Sequence, residues 1–121
     1  MRKWVLAVSM IAAMPVAAQA ADAEAGKTVF NKCKACHQTG AGAKNAVGPH
    51  LDGVVGRKAG TAEGFNYSDA MKNSGKTWDE ATLKAYLTDP KAAVPGNKMV
   101  FMGVKDPTDL DNLIEYLKTA K

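Results

Sequence analysis

Apolar positions along the chain gather into one dense N-terminal run and three stripes at helical spacing, separated by stretches that glycine punctuates. Trp4 to Met14 is a run of eleven residues, apolar but for Ser9. From Asp22 to Lys32 the pattern predicts a helix, with Ala23, Gly26, Val29 and Phe30 near one face and Glu24 and Lys27 outside it. Gly26 costs about 1 kcal/mol against alanine in a helix interior, so a close helix–helix crossing is the expected reason for it. Gln38 to Arg57 reads as loop, broken by Gly40, Gly42, Gly48, Pro49, Gly53 and Gly56, and Lys58 to Gly64 as more of the same. Ser68 to Asn73 predicts one short helix with Ser68 as its cap. Thr77-Trp78-Asp79-Glu80 has the form of a capping box, with Thr77 as N-cap and Glu80 at the third helical position. The helix it opens carries Trp78, Ala81, Leu83, Tyr86 and Leu87 and stops near Thr88, ahead of Pro90. Lys91 to Val104 reads as irregular, with a turn at Pro95-Gly96. The last helix has Asp106 as cap and Pro107 at its first position. Leu110, Leu113, Ile114 and Leu117 form its stripe, with Lys118 and Lys121 at the end the dipole favours. No strand alternation and no internal repeat appears, so the expectation is an all-α single domain.

The N-terminal run changes how much of the chain enters that domain. Arg2 and Lys3 precede it, Pro15 ends it, and Ala18-Gln19-Ala20 fits an A-x-A cleavage site. The run is shorter than the roughly 17–25 residues a spanning helix needs. Residues 1–20 are therefore expected to be a cleaved secretory signal, residues 21–121 the domain, and the protein periplasmic without a stable membrane anchor. The signal holds two basic residues and no acids. Its removal lowers the Lys+Arg count from 16 to 14 against 12 Asp+Glu, and the formal charge from +4 to +2. That is no charge for binding nucleic acid.

The chemistry sits in Cys33-Lys34-Ala35-Cys36-His37, which holds both cysteines and one of the two histidines. Positions i, i+3 and i+4 share a helical face, so the two thiols and the imidazole point the same way. C-x-x-C-H reads as attachment of a c-type haem, with two thiols adding to two vinyl groups and the imidazole binding the iron. Three other readings compete. A dithiol redox pair needs a βαβ context that is missing. A zinc site completed by His50 asks Cys36 and His37, adjacent in sequence, to reach one tetrahedral ion. A structural disulfide suits any exported protein. A Pro49 carbonyl in the 38–57 loop could accept from the second ring nitrogen of His37, fixing its tautomer and raising its donor strength. His50 is a rival ligand, though a loop histidine is more often solvated. For the opposite face of the iron the domain offers Met71, Met99 and Met102. Met99 follows a loop stiffened by Pro95 and turned by Gly96, whereas filling gaps is the commoner use of methionine. A chain this short buries a modest core, so the haem-free protein is expected to be largely unfolded.

Taken in order, CKACH, GPHL, GRKAG, GFNYSDA, the Trp78 region, YLTDPKAAVPGNKMVF and the final helix resemble the class I cytochromes c, of the mitochondrial type and its bacterial periplasmic relatives. The resemblance covers nearly all of residues 21–121. It implies short helices and loops wrapped around one covalently attached haem c, with the terminal helices crossed beside it. It implies Cys33 and Cys36 as thioether anchors and His37 and Met99 as axial ligands. Gly26 and Phe30 would meet Leu113 and Tyr116 where the helices cross. Pro49 would orient His37, Arg57, Tyr67 and Trp78 would surround a buried propionate, and Tyr86 would lie near the methionine sulfur. Lys32, Lys91, Lys98 and Lys105 match positions where the family places lysines around the exposed haem edge.

Three positions depart from the family. His50 and Met71 stand where asparagines are usual, and Asn97 replaces a threonine before the Lys-Met pair. Met102, three residues past Met99, is the runner-up ligand. The resemblance implies a monomeric one-electron carrier rather than an enzyme. A cytochrome reductase complex would be its donor, and a terminal oxidase, reaction centre or periplasmic dehydrogenase its other candidate partner. Two alternatives remain open at this point: a ligand-binding or peroxidase-like haem protein with a labile methionine, and a non-haem dithiol oxidoreductase.

Overall fold

Capping by aspartate and serine sets where the helices begin. In the computed structural model, which describes residues 21–121, Asp22 accepts from the Glu24 N–H and opens α1, Ala23–Val29. A 3-10 turn, Phe30–Lys32, continues it, so the predicted single helix over 22–32 tightens in its last third. This feeds the chain directly into the Cys33–His37 turn. Ser68 caps α2, Asp69–Lys72, by accepting from Met71 N. Asp106 caps α5, Pro107–Thr119, by accepting from two N–H groups, with Pro107 leading the helix. Each of these side chains satisfies a donor that a helix start leaves without an intrahelical partner. The expected signal lies outside the described residues.

Two expectations are corrected. The third helix, α3, spans Glu80–Thr88, and its cap is Asp79, whose carboxylate accepts from Thr82 N at 2.7 Å, not Thr77. Thr77 is instead paired with Lys58 in a lone antiparallel bridge, which holds its backbone extended two residues too early for a cap. The stretch after Pro90 is not wholly irregular. Pro90–Ala93 forms a short helix, α4, capped by Asp89 and led by proline.

The core is assembled around the crossing of α1 and α5, the most extensively packed pair of helices. Gly26 sits where the backbones meet: a Cβ there would overlap the Asn112 carbonyl and come within 2.9 Å of Tyr116 Cβ. Asp22 N–H donates to Asn112 Oδ1 at 2.8 Å, and the Phe30 and Tyr116 rings pack with centroids 5.2 Å apart. The expected meeting of Gly26 and Phe30 with α5 is present, with Asn112 as a partner the stripe did not name. Phe30, Leu113, Ile114 and Leu117 are almost wholly buried. Ion pairs Lys84–Asp111, at 2.8 Å, and Lys118–Glu80 join α3 to α5 at the surface. Such exposed pairs contribute about 1 kcal/mol or less, so burial rather than charge holds α5 in place. Among the described residues no helix is long and apolar enough to cross a membrane.

Candidate functional site

The attachment turn is a continuation of the 3-10 segment. Cys33 N–H donates to Phe30 O, and Cys36 and His37 N–H both donate to Cys33 O at 3.1 and 2.9 Å. This local winding brings both thiols and the imidazole to one wall of a cavity of about 350 Å³. Cys33 and Cys36 are free thiols. Burial pushes the Cys33 thiol up to about 11, partly countered by Lys32, so its sulfur is protonated at neutral pH.

His37 is fixed from behind. Its Nδ1 lies 2.7 Å from Pro49 O. A carbonyl only accepts, so Nδ1 carries the proton and Nε2 keeps its lone pair. Burial lowers the His37 pKa, the Pro49 bond opposes this and Arg57 adds to it. A neutral imidazole is the form that binds a metal. Gly48 completes the cradle, since a Cβ there would press on the imidazole, 2.7 Å from Nδ1 and 2.8 Å from Nε2. The loop therefore lies flat against the ring, and Gly48 N–H ties it to Cys36 O at 2.7 Å.

Met99 lines the same cavity. The Tyr86 hydroxyl lies 3.8 Å from its Sδ; burial raises that phenol to about 12, so it remains a donor. Trp78 stacks beside Tyr86 with ring centroids 4.7 Å apart. Arg57, Tyr67 and Trp78 share a further part of the wall. Arg57 Nη1 and Nη2 donate to the His50 and Asp52 carbonyls, but its buried Nε has no partner. The Tyr67 hydroxyl oxygen accepts from Ala62 N at 2.9 Å, which leaves its proton free to donate. These are the donors a buried carboxylate requires.

The wall is apolar elsewhere, with Phe30, Leu51, Val54, Leu83, Leu113 and Leu117 contributing, and Met71 adds a thioether. The donor set fits a haem. Two thiols, one oriented imidazole, a thioether on the same cavity, an apolar cleft and an orphaned guanidinium N–H are the groups that the edge, iron, ring and propionates of a haem would require. The runner-up Met102 is 85% exposed and lies outside the cavity wall. His50 is half-buried, with Nδ1 unpartnered. Among the described residues no three His, Cys, Asp or Glu side chains are grouped as ligands of a metal ion, so His50 does not join the cysteines as the zinc reading requires.

The four lysines divide. Lys32 and Lys98 stand on the cavity wall. Lys91 Nζ donates to Asn97 O at 3.1 Å, and Lys105 Nζ to Thr88 O at 2.6 Å. Gly48 and Asn97 were not among the site residues expected from the motifs. The Gly-Pro signal marked a turn at Gly48 without revealing that the turn lies against His37.

An all-helical chain wrapped around a cleft that presents C-x-x-C-H defines a c-type haem protein. The family model described as cytochrome c matches residues 23–121. Cytochrome c2 of Blastochloris viridis is 52% identical over 118 residues, covering 98% of this chain and 93% of that one. Cytochrome c2 of Rhodoblastus acidophilus is 60% identical over 102 residues, 84% of this chain and 95% of that one. Cytochrome cH from Methylobacterium extorquens superposes with a TM-score of 0.77 at 57% identity, over 81% of this chain and 98% of that one. The chain belongs to the cytochrome c family: it is an all-α electron carrier with one covalently attached haem c.

Proposed function

We propose that the chain is exported, cleaved after Ala20, and works in the periplasm as a monomeric one-electron carrier without enzymatic activity of its own. Cys33 and Cys36 would hold the haem through thioethers, and His37 and Met99 would bind its iron. The observation that carries this reading is that the Met99 sulfur and the His37 ring line one cavity, each with its own second partner: Pro49 O for the ring and the Tyr86 hydroxyl for the sulfur. Two protein ligands leave no position for a substrate. The bound haem supplies the iron whose charge changes by one.

The chain's residues set the conditions for that change. Pro49 holds His37 in the tautomer that donates from Nε2. A thioether ligand favours the reduced state relative to a second imidazole, and an apolar wall disfavours the extra positive charge of the oxidised state. Arg57, Tyr67 and Trp78 receive a buried propionate. The candidate donor is a cytochrome reductase complex, with a terminal oxidase, a reaction centre or a periplasmic dehydrogenase as the other partner.

Oxidised holoprotein is expected to show the weak absorption near the red end that marks iron–sulfur ligation. Its absence would favour the ligand-binding or peroxidase-like reading. Docking is proposed at the rim that Lys32 and Lys98 flank. Replacing both by glutamate should slow electron exchange with a partner complex about tenfold or more at low salt, with the difference shrinking as salt rises. Stopped-flow rates across ionic strength check this, and salt-independent wild-type rates would remove those lysines from docking. Lys91 and Lys105, already bound to carbonyls, are expected to contribute less.

A further inference from the structure

Asn97 is one of two buried polar residues among the described residues, 5% exposed, and none of the roles assigned so far involves it. Both its amide hydrogens and its oxygen are engaged. Nδ2 donates to Pro90 O and to Val94 O, both at 2.8 Å. Oδ1 accepts from Met99 N at 2.8 Å. The donors reach back to α4 and the residue that follows it, and the acceptor reaches forward to the sulfur-bearing residue. No shorter polar side chain offers two donors and an acceptor in one plane.

The segment ahead has little other support. Of the backbone N–H groups of residues 98–103, only that of Met99 finds a partner among the described residues, and the partner is Asn97 Oδ1. The next backbone anchor is Val104 N–H on Leu87 O at 2.7 Å. Gly96, with φ of 86°, turns the chain into this stretch immediately before Asn97. Between the two anchors, the hydrogen bonds that restrain Met99 are the one from its backbone N–H to Asn97 and the one from the Tyr86 hydroxyl to its sulfur.

We infer that Asn97 is the positioning residue for Met99: its amide ties the methionine backbone to α4 and sets how readily the sulfur yields its place to a competing base. The inference rests on Met99 being an axial ligand. When an external base such as imidazole binds the ferric protein, the iron–sulfur bond breaks and an iron–nitrogen bond forms. The incoming lone pair replaces that of sulfur, and the iron remains ferric. Met99 must then leave the cavity wall, drawing its half-buried N–H away from the oxygen of Asn97, which is itself buried. Leaving the buried Asn97 oxygen without its donor is costly, and that cost resists the exchange.

The test titrates oxidised holoprotein with imidazole while following the red iron–sulfur absorption. Asn97→Ala should bind imidazole up to about tenfold more tightly than wild type, the value of one lost hydrogen bond. Asn97→Thr, whose single hydroxyl replaces one of three bonds, should fall between. Ile114→Val, at a buried position outside the cavity wall, lowers the melting temperature without touching the loop and should keep the wild-type affinity. Wild-type affinity in Asn97→Ala overturns the inference, and so does an equal rise in Ile114→Val at a matched loss of melting temperature. If Asn97→Ala does not accumulate as folded protein, Asn97→Thr decides: an intermediate rise supports the inference and wild-type affinity overturns it. A wild-type protein lacking the red absorption overturns the Met99 assignment itself. That result is distinct from a wild type that has the band beside an unresponsive Asn97→Ala.

Discussion

Haem-free protein will show no cooperative melt by circular dichroism, while the holoprotein melts in one sharp transition. The reason lies in what the core is made of. Phe30, Val54, Met71, Trp78, Leu83, Tyr86, Leu113 and Leu117 belong to the buried cluster and are at the same time the walls of the cavity. Without the cofactor they face each other across a space of about 350 Å³. At about 24 cal/mol per Å³ of cavity, a void of that size costs about 8 kcal/mol. Opening to solvent makes this an upper bound. It is nonetheless comparable to the 5–15 kcal/mol that holds a whole domain folded. Any group that binds the folded chain alone adds its binding energy to stability, and covalent attachment removes the possibility of dissociation. A native-like cooperative transition in haem-free protein would show that the α1–α5 crossing suffices by itself.

The parts of this molecule that were legible in the sequence are those whose cause is local. C-x-x-C-H puts its three groups on one face by helical spacing alone. Ser68 and Asp106 cap their helices by reaching a donor two or three residues ahead, and Pro107 leads α5 for the same local reason. The cap of α3 lies two residues beyond the capping-box threonine, and by residue type both Thr77 and Asp79 are acceptable caps. The choice between them is made by Lys58, nineteen positions away, which holds Thr77 in a bridge. The four-residue α4 is too short for periodicity to register, although Asp89-Pro90 is a start signal in itself.

The fine structure of the site was less legible, because it depends on groups that meet only in the folded chain. Gly48 reads as a turn glycine, and its contact with the His37 ring exists only once Pro49 has bonded to that ring. Asn97 looks like a surface loop residue between Gly96 and Lys98. Its burial follows from three partners that α4 and the Met99 loop bring to it. Resemblance assigns all four lysines to the haem edge, yet only the folded chain shows that Lys32 and Lys98 line the cleft while Lys91 and Lys105 reach the carbonyls of Asn97 and Thr88.

Gly26→Ala should destabilise the holoprotein by about 3 kcal/mol or more, the upper end of what overpacking costs, and lower its melting temperature by roughly 15 °C for a domain of this size. Helix propensity argues the opposite sign, since alanine at an exposed interior position is favoured by about 1 kcal/mol over glycine. Geometry decides. The new methyl group would overlap the Asn112 carbonyl, which belongs to the backbone of α5 and has no rotamer to retreat to. The helices must separate, and every contact that depends on their approach is weakened with them: the Asp22–Asn112 bond, the Phe30–Tyr116 stack and the Tyr116 hydroxyl's 3.0 Å bond to Thr39 Oγ1. Lys27→Ala, on the neighbouring exposed position of α1, should change stability by no more than about 0.5 kcal/mol and so calibrates the measurement. Thermal melts of the two holoproteins, followed by far-ultraviolet circular dichroism, supply the comparison. Equal melting temperatures for Gly26→Ala and wild type would mean that α1 can shift along α5 without loss, and that the close crossing is not what keeps glycine at this position.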